Sequence, residues 1–462
     1  MAKLLLQKRR PDDLSISVLL MKPPFGSKLS SYIESLLSAN AESLSGLKFV
    51  LLSAMTGTDN TKRTPFFGSL IESHKQSASE IVRGIQTQTA SGGTRLAGIV
   101  VDMFCVGMMD VADEFGIPAY VFYTSGAGML GLHLHLQSLR DDHGKDVTEF
   151  KESDPDLEIP TYSKPFPVKL LPAVALDKSG GAADSFSDFA KGIRKAKGIL
   201  VNTFLELELH AIEFLRREEG RIPPVYPVGP VLNLQGEKNG DSGEEILKWL
   251  NSQPDSSVVF LCFGSGGSFP EPQVKEIAHA LERGGQRFLW ALRKPPPPQG
   301  AFYPTDLNNP EDVLPEGFLE RMKDIGKVIG WAPQAAILAH PAVGGFVSHC
   351  GWNSTLESVW FGVPMATWPI YAEQQANAFQ LVTDIGMGVD LKSDYKKPIG
   401  SEKVPETVDS EVIEAKIRKL MDPSAARKKA KELKEKSREA VEEGGSSLNF
   451  LEAFFHEVFN NY

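Results

Sequence analysis

The sequence is short of cysteine, of positive charge and of long apolar runs, and each shortage removes a class of function. Its 462 residues hold three cysteines, Cys105, Cys262 and Cys350, far apart and each in or beside an apolar run. An odd, unclustered set builds neither a disulfide framework nor a zinc site, and fits buried thiols in a reducing compartment. Lys and Arg number 49 against 59 Asp and Glu, a formal net charge of -10. A surface of that sign repels phosphate backbones and anionic lipid, which argues against nucleic acid and membrane surfaces as partners. The longest apolar region, 96–109, is interrupted by Asp102 and is too short to span a bilayer. The apolar start, Leu4-Leu5-Leu6, is too short for a signal peptide. A cytoplasmic protein is expected.

What is present is an alternation. Short apolar or β-branched runs at 14–21, 47–53, 96–101, 119–122, 198–202, 257–263, 287–292, 327–330, 344–348 and 365–368 read as strands. Amphipathic patterns such as 273–283 and 357–361 read as helices between them. Apolar strands alternating with helices predict an α/β fold whose parallel sheets are covered on both faces. The chain is too long for one core, which predicts two domains. A stiff Pro-rich run at 223–230 and a polar Gly-rich run at 235–243 mark the junction. The expected division is 1–235, 236–445, and a final apolar helix within 446–462 folding back on the first domain. Ligands of open α/β sheets bind beyond the carboxyl ends of the strands, so two such domains imply a cleft between them. The loop opened by Pro295–Pro298 reads as a rigid surface excursion, and the charged run 425–443 as a helix with a solvated face.

The chemistry concentrates between Lys327 and Gln375. The run Gly344–Ser348 leads into His349-Cys350-Gly351-Trp352-Asn353-Ser354-Thr355 and then Leu356-Glu357-Ser358-Val359-Trp360. This reads as a strand, a tight turn, and a helix with Asn353 and Ser354 at its N-cap positions. Free N–H groups and a partial positive charge at a helix start suit a diphosphate, although a capped helix with no ligand reads the same way. Trp331, in Trp331-Ala332-Pro333-Gln334, offers an aromatic face after a strand, for a base or for the core. Trp368-Pro369-Ile370-Tyr371-Ala372-Glu373-Gln374 presents a carboxylate and an amide of the kind that read sugar hydroxyls, or that cap a helix.

Residues 331–374, WAPQAAILAHPAVGGFVSHCGWNSTLESVWFGVPMATWPIYAEQ, resemble end to end the secondary-product signature (PSPG motif) of plant family 1 glycosyltransferases. VVFLCFGSGG at 258–267 and GILVNTF at 198–204 extend the resemblance over nearly the whole chain, toward the subgroup acting on flavonoids, other phenolics and some terpenoids. The resemblance implies a GT-B architecture, two Rossmann-like domains facing a cleft, and transfer of a sugar from a UDP-sugar to a small hydroxylated acceptor. It implies that Trp331 stacks on uracil, with Ala332 and Gln334 completing the nucleoside contacts, and that Glu357 accepts the ribose hydroxyls. His349, Asn353, Ser354 and Ser265 would hold the diphosphate. Trp352, Glu373 and Gln374, with Thr124 from the first domain, would face the sugar, Tyr371 belongs to the same donor-binding set, and Gln374 goes with glucose. No metal or other cofactor is implied, because the helix start neutralises the leaving diphosphate. A monomer is expected.

In the resembled family a His removes the acceptor's proton and an Asp orients it, and the transfer inverts the anomeric carbon. Asp102, ending the run Ile99-Val100-Val101, matches that Asp; its plain alternative is a helix cap. The His belongs in a Gly-His pair after a first strand, and neither has a counterpart before Leu4. The sequence is therefore expected to be N-terminally incomplete, and His74, His133, His135, His143 and His210 lie in later segments. Loss of the base is expected to cost about 10²–10⁴ in rate, which leaves a UDP-sugar-binding protein of impaired activity as the alternative. A nicotinamide enzyme is excluded: Gly264-Ser265-Gly266-Gly267 lacks the G-x-G-x-x-G spacing, and no acid follows the next strand.

Overall fold

A computed structural model of the chain describes residues 1–7, 14–22, 27–38, 46–54, 66–91, 95–178, 181–218, 220–234, 241–296, 304–307, 309–396, 405–423 and 425–460. The strands in chain order are β1 (Ile16–Leu20), β2 (Leu47–Leu51), β3 (Ile99–Asp102), β4 (Ala119–Tyr123), β5 (Gly198–Val201), β6 (Val225–Pro227) and β7 (Val258–Cys262). They continue with β8 (Arg287–Ala291), β9 (Arg293–Lys294), β10 (Thr305–Asp306), β11 (Gly326–Ile329), β12 (Val343–Ser348), β13 (Met365–Thr367) and β14 (Gly388–Asp390). All ten expected strands are present, with ends shifted by a few residues. Three features were hidden from the pattern: β14, the short β9–β10 hairpin, and β6, whose Val225-Tyr226-Pro227 lies inside the Pro-rich run read as a linker. A proline is tolerated there because β6 ends the order β3-β4-β5-β6 of its sheet.

By internal contacts the chain forms two compact units, Met1–Phe122 with Asp188–Ile199 and Phe455–Tyr462, and Tyr123–Ser187 with Leu200–Phe454. The junction expected between residues 235 and 236 lies outside the described residues. In the first unit β1 and β2 run parallel, Ile16 opposite Leu47 through Leu20 opposite Leu51. The Ala2–Gln7 helix lies beside them and buries Leu5 and Leu6. β3 pairs in parallel with β4, Ile99 opposite Ala119. These strands are thinly covered: Leu51 and Val100 are each 40% exposed.

The second unit is built on a six-stranded sheet of order β11-β8-β7-β12-β13-β14. All five pairings within it are parallel. All five residues of β7 are buried, and they alternate between two cores. Val258, Phe260 and Cys262 pack on one side with Phe346, Leu356 and Leu433; Val259 and Leu261 pack on the other with Val274, Ile277, Ile413 and Ile417. The first side is covered by helices Trp352–Phe361 and Ala425–Glu439, the second by Glu271–Gly284 and Ser410–Met421. Full burial contributes about 1.5–3 kcal/mol per large aliphatic or aromatic side chain, so this double-sided strand anchors the unit. The charged Ala425–Glu439 helix buries only Ala426, Ala430, Leu433 and Ser437, a single stripe at helical spacing; Lys428, Lys431, Glu432, Glu435 and Glu439 are exposed, while Arg427 bonds Met421 O and Arg438 stacks on Trp360. No helix among the described residues is long and apolar enough to cross a membrane.

Candidate functional site

The strand order fixes where a ligand can sit. From β7 the chain builds outward through β8 and β11, then returns to β12 and builds the other way through β13 and β14. The switch lies between β7 and β12, and crevices for ligands open at the carboxyl ends of strands at such a point. There Ser348 pairs with Cys262, and the next residues on each strand meet. Gly264 has φ 72°, and a Cβ on it would lie 2.4 Å from His349 Nε2. Both the backbone angle and the space demand glycine. Cys350 takes the left-handed region too, at φ 63°, a costly conformation for a residue with a side chain and one that gathers at working turns. Ser265 is exposed in the turn after β7. Burial lowers the His349 pKa to about 4, so at neutral pH the ring offers hydrogen bonds and no charge.

After that turn comes the Trp352–Phe361 helix, and here the sequence expectation needs correcting. Gly351 is the N-cap and no side chain caps the helix; Asn353 and Ser354 already lie in its first turn. The large Trp352 occupies the first helical position and hides the start from the pattern. Thr355 N–H is the first to reach back in the ladder, to Gly351 O at 2.9 Å. The preceding amides therefore have no intrahelical partner and carry the positive end of the helix dipole. Asn353 is exposed beside them and Ser354 is buried.

One end of this start is set up by a single amide. Gln334 Nε2 donates to Ser354 Oγ at 2.9 Å and to Glu357 Oε2 at 2.8 Å. Burial raises the Glu357 pKa, and the Gln334 bond opposes the rise. Trp331, two residues beyond β11, is 46% exposed. The Arg293 guanidinium lies 5.3 Å from its ring centroid, and Arg293 is itself buried and paired with Asp306 at 2.9 Å. The indole is thus braced by a fixed cation. Ala332 is half-buried beside it.

The other end gathers Trp352, Glu373, Gln374, Tyr371 and the Thr124 turn. Trp352 is buried and its Nε1 donates to Asn202 O at 2.7 Å. Glu373 is pushed up chiefly by burial, against hydrogen bonds from the Trp352 amide and the Asn377 side chain. Gln374 Oε1 accepts the Ile370 and Tyr371 N–H groups at 2.9 and 3.0 Å, so its oxygen is committed to the backbone of its own loop. That loop is tight, with Ala372 at φ 57°. The Tyr371 hydroxyl packs on Gly266, where a Cβ would lie 2.4 Å from it. Thr124 is half-buried just past β4, and two residues on, a Cβ at Gly126 would meet Trp352 Cη2 at 2.7 Å. All thirteen donor-side residues singled out in the sequence fall in this one unit.

Asp102 lies in the first unit, at the end of β3. Its Oδ1 accepts the Phe104 N–H at 2.9 Å and caps the short 3-10 helix Met103–Met108. Burial raises its pKa. Among the described residues no histidine hydrogen-bonds it. His133, in the second unit, is buried against Phe186 and held neutral, at a pKa of about 4. His74, buried in the first unit, turns its Nδ1 to Leu70 O at 2.8 Å.

Comparison with known proteins gives the family and the fold. Residues 221–419 match the family described as UDP-glucoronosyl and UDP-glucosyl transferase. The chain is 53% identical over 466 residues to UDP-glucose flavonoid 3-O-glucosyltransferase 6 of Fragaria ananassa, covering 99% of this chain and 94% of that one. It superposes on a UGT transferase from Siraitia grosvenorii solved with UDP, with TM-score 0.86 and 45% identity over 99% of this chain and 95% of that one. Medicago truncatula UGT71G1, solved with UDP-glucose, gives TM-score 0.84 and 40% identity over 99% and 94%. A switch point lined by indole, amide and carboxylates, carried on the fold of these enzymes, identifies the chain as a member of the UDP-glycosyltransferase family, a glycosyltransferase of GT-B architecture.

Proposed function

We propose that the protein transfers glucose from UDP-glucose to a hydroxyl of a small phenolic or terpenoid acceptor, with inversion at the anomeric carbon. The observation that carries the donor side is the Gln334 amide tying Ser354 to Glu357 beside an exposed, braced indole, at the open start of the Trp352–Phe361 helix. In this reading uracil stacks on Trp331, and the Glu357 carboxylate takes the ribose hydroxyls. The diphosphate lies on the amides of the helix start, with His349, Asn353, Ser354 and Ser265 around it. Those dipoles stabilise the leaving UDP without a metal ion. Thr124, Trp352, Glu373 and Gln374 take the sugar. Residues 1–235 would carry the acceptor and 236–445 the donor.

A second reading, a donor-binding protein slow in transfer, is favoured by Asp102, which spends a carboxylate oxygen on a helix cap and has no histidine bonded to it among the described residues. Calorimetry with UDP and mass spectrometry of products from a panel of phenols and terpenoid alcohols separate the two. Binding with glucoside formation supports transfer; binding with none supports the second reading; no binding of UDP defeats both.

A further inference from the structure

Glu208 is a carboxylate with nothing to do in the donor contacts above, yet it is 3% exposed and fully engaged. Its backbone begins the Leu209–Arg217 helix while its side chain reaches elsewhere. Oε2 accepts the Ala127 N–H at 2.9 Å, and Oε1 accepts the Gly128 N–H at 2.8 Å. These are the first two amides of the Ala127–Asp141 helix, whose own N-cap, Gly126, has no side chain to offer. Gln380 Nε2, at the end of the Gln374–Gln380 helix, donates to Oε1 at 2.8 Å. One carboxylate thus joins the turn that carries Thr124 to the helix that begins at Gln374, just after Glu373. Trp352 lies against the same turn: a Cβ at Gly126 would sit 2.7 Å from its ring and 2.8 Å from Glu208 Oε1.

We propose that Glu208 is a positioning residue for the transferred sugar, fixing the Thr124–Gly126 turn against Trp352 and the Glu373–Gln374 loop. The assignment rests on the reading of those residues as the sugar side of the site. The carboxylate is suited to the task because a helix start and an amide NH₂ are all donors, and an anion can accept from every one. An amide in its place would turn an N–H toward a helix amide and push the turn away from Trp352. The nucleotide end, built on Trp331, Gln334 and Glu357, shares none of these bonds.

The test compares UDP with UDP-glucose by calorimetry on the full chain and on Glu208→Gln. The expected result is a UDP Kd within about twofold of the parent and a UDP-glucose Kd raised about tenfold, since a misplaced contact penalises only the group it touches. Equal weakening of both ligands, or of neither, would overturn the proposal and leave Glu208 as a structural cap. If Glu208→Gln does not fold, Gln380→Leu removes one donor while leaving both helix bonds, and the same selective loss is expected at smaller size; its absence overturns the proposal. Should the parent chain fail to bind UDP, the donor reading falls instead, and the two failures are told apart.

Discussion

Trp331 leaves nearly half its surface in solvent while the Arg293 guanidinium holds its ring in place. In the proposed reading this half-exposed, braced indole is the face on which the base stacks. Stacking a base on such a ring contributes about 1–3 kcal/mol. Trp331→Ala is therefore expected to weaken UDP binding roughly 5- to 150-fold, measured by calorimetry, with the melting temperature little changed; unaltered affinity would remove uracil from this face. His349 makes a different forecast. Its folded pKa of about 4 lies below the ordinary histidine value of about 6.5, so between those values the unfolded chain takes up a proton that the folded chain refuses. Stability is then lost as pH falls from about 6.5 toward 4, by on the order of 3 kcal/mol for this ring. Urea midpoints at pH 7.5 and 4.5 measure the loss, and His349→Gln should shrink it. An undiminished loss in the variant would refute the assignment.

The elements show what a sequence can and cannot carry. β7 was legible because a parallel strand covered on both faces must be apolar throughout, and Val258-Val259-Phe260-Leu261-Cys262 is. Its load is large: Phe260→Ala is expected to destabilise the fold by about 3–5 kcal/mol, read from denaturant midpoints, because the ring is fully buried and stacks on Phe346. A loss under about 1 kcal/mol would mean that the double-sided packing is looser than described. β6 was illegible because two prolines precede it and its strand character comes from its neighbour in the sheet. The Trp352–Phe361 helix begins before the Asn353 and Ser354 that the pattern marks as its cap, since a tryptophan at the first position resembles no helix start. Gln334, Ser354 and Glu357 were picked out through a contiguous motif, and the structure joins all three. Glu208 is invisible in the sequence for a physical reason: its main partners are backbone amides 80 and 81 residues away, and an amide leaves no mark in a sequence.

For the whole molecule, the nucleotide should act as a stabiliser. A ligand bound only by the folded state adds about 2.7 kcal/mol at a hundred times its Kd, so UDP is expected to raise the melting temperature in a concentration-dependent way. A flat response by differential scanning fluorimetry would contradict the donor site. The three thiols supply a second gauge. Cys262 and Cys350 are buried, and burial drives all three thiols up, Cys262 to about 11 and Cys105 to about 12. A maleimide dye reacts through the thiolate and needs access to it, so it labels the native protein slowly and finds three reachable thiols on an opened chain. Tagging speed then clocks excursions out of the folded state, and a substitution that spoils ligand affinity while leaving that clock unchanged has damaged recognition and spared the fold.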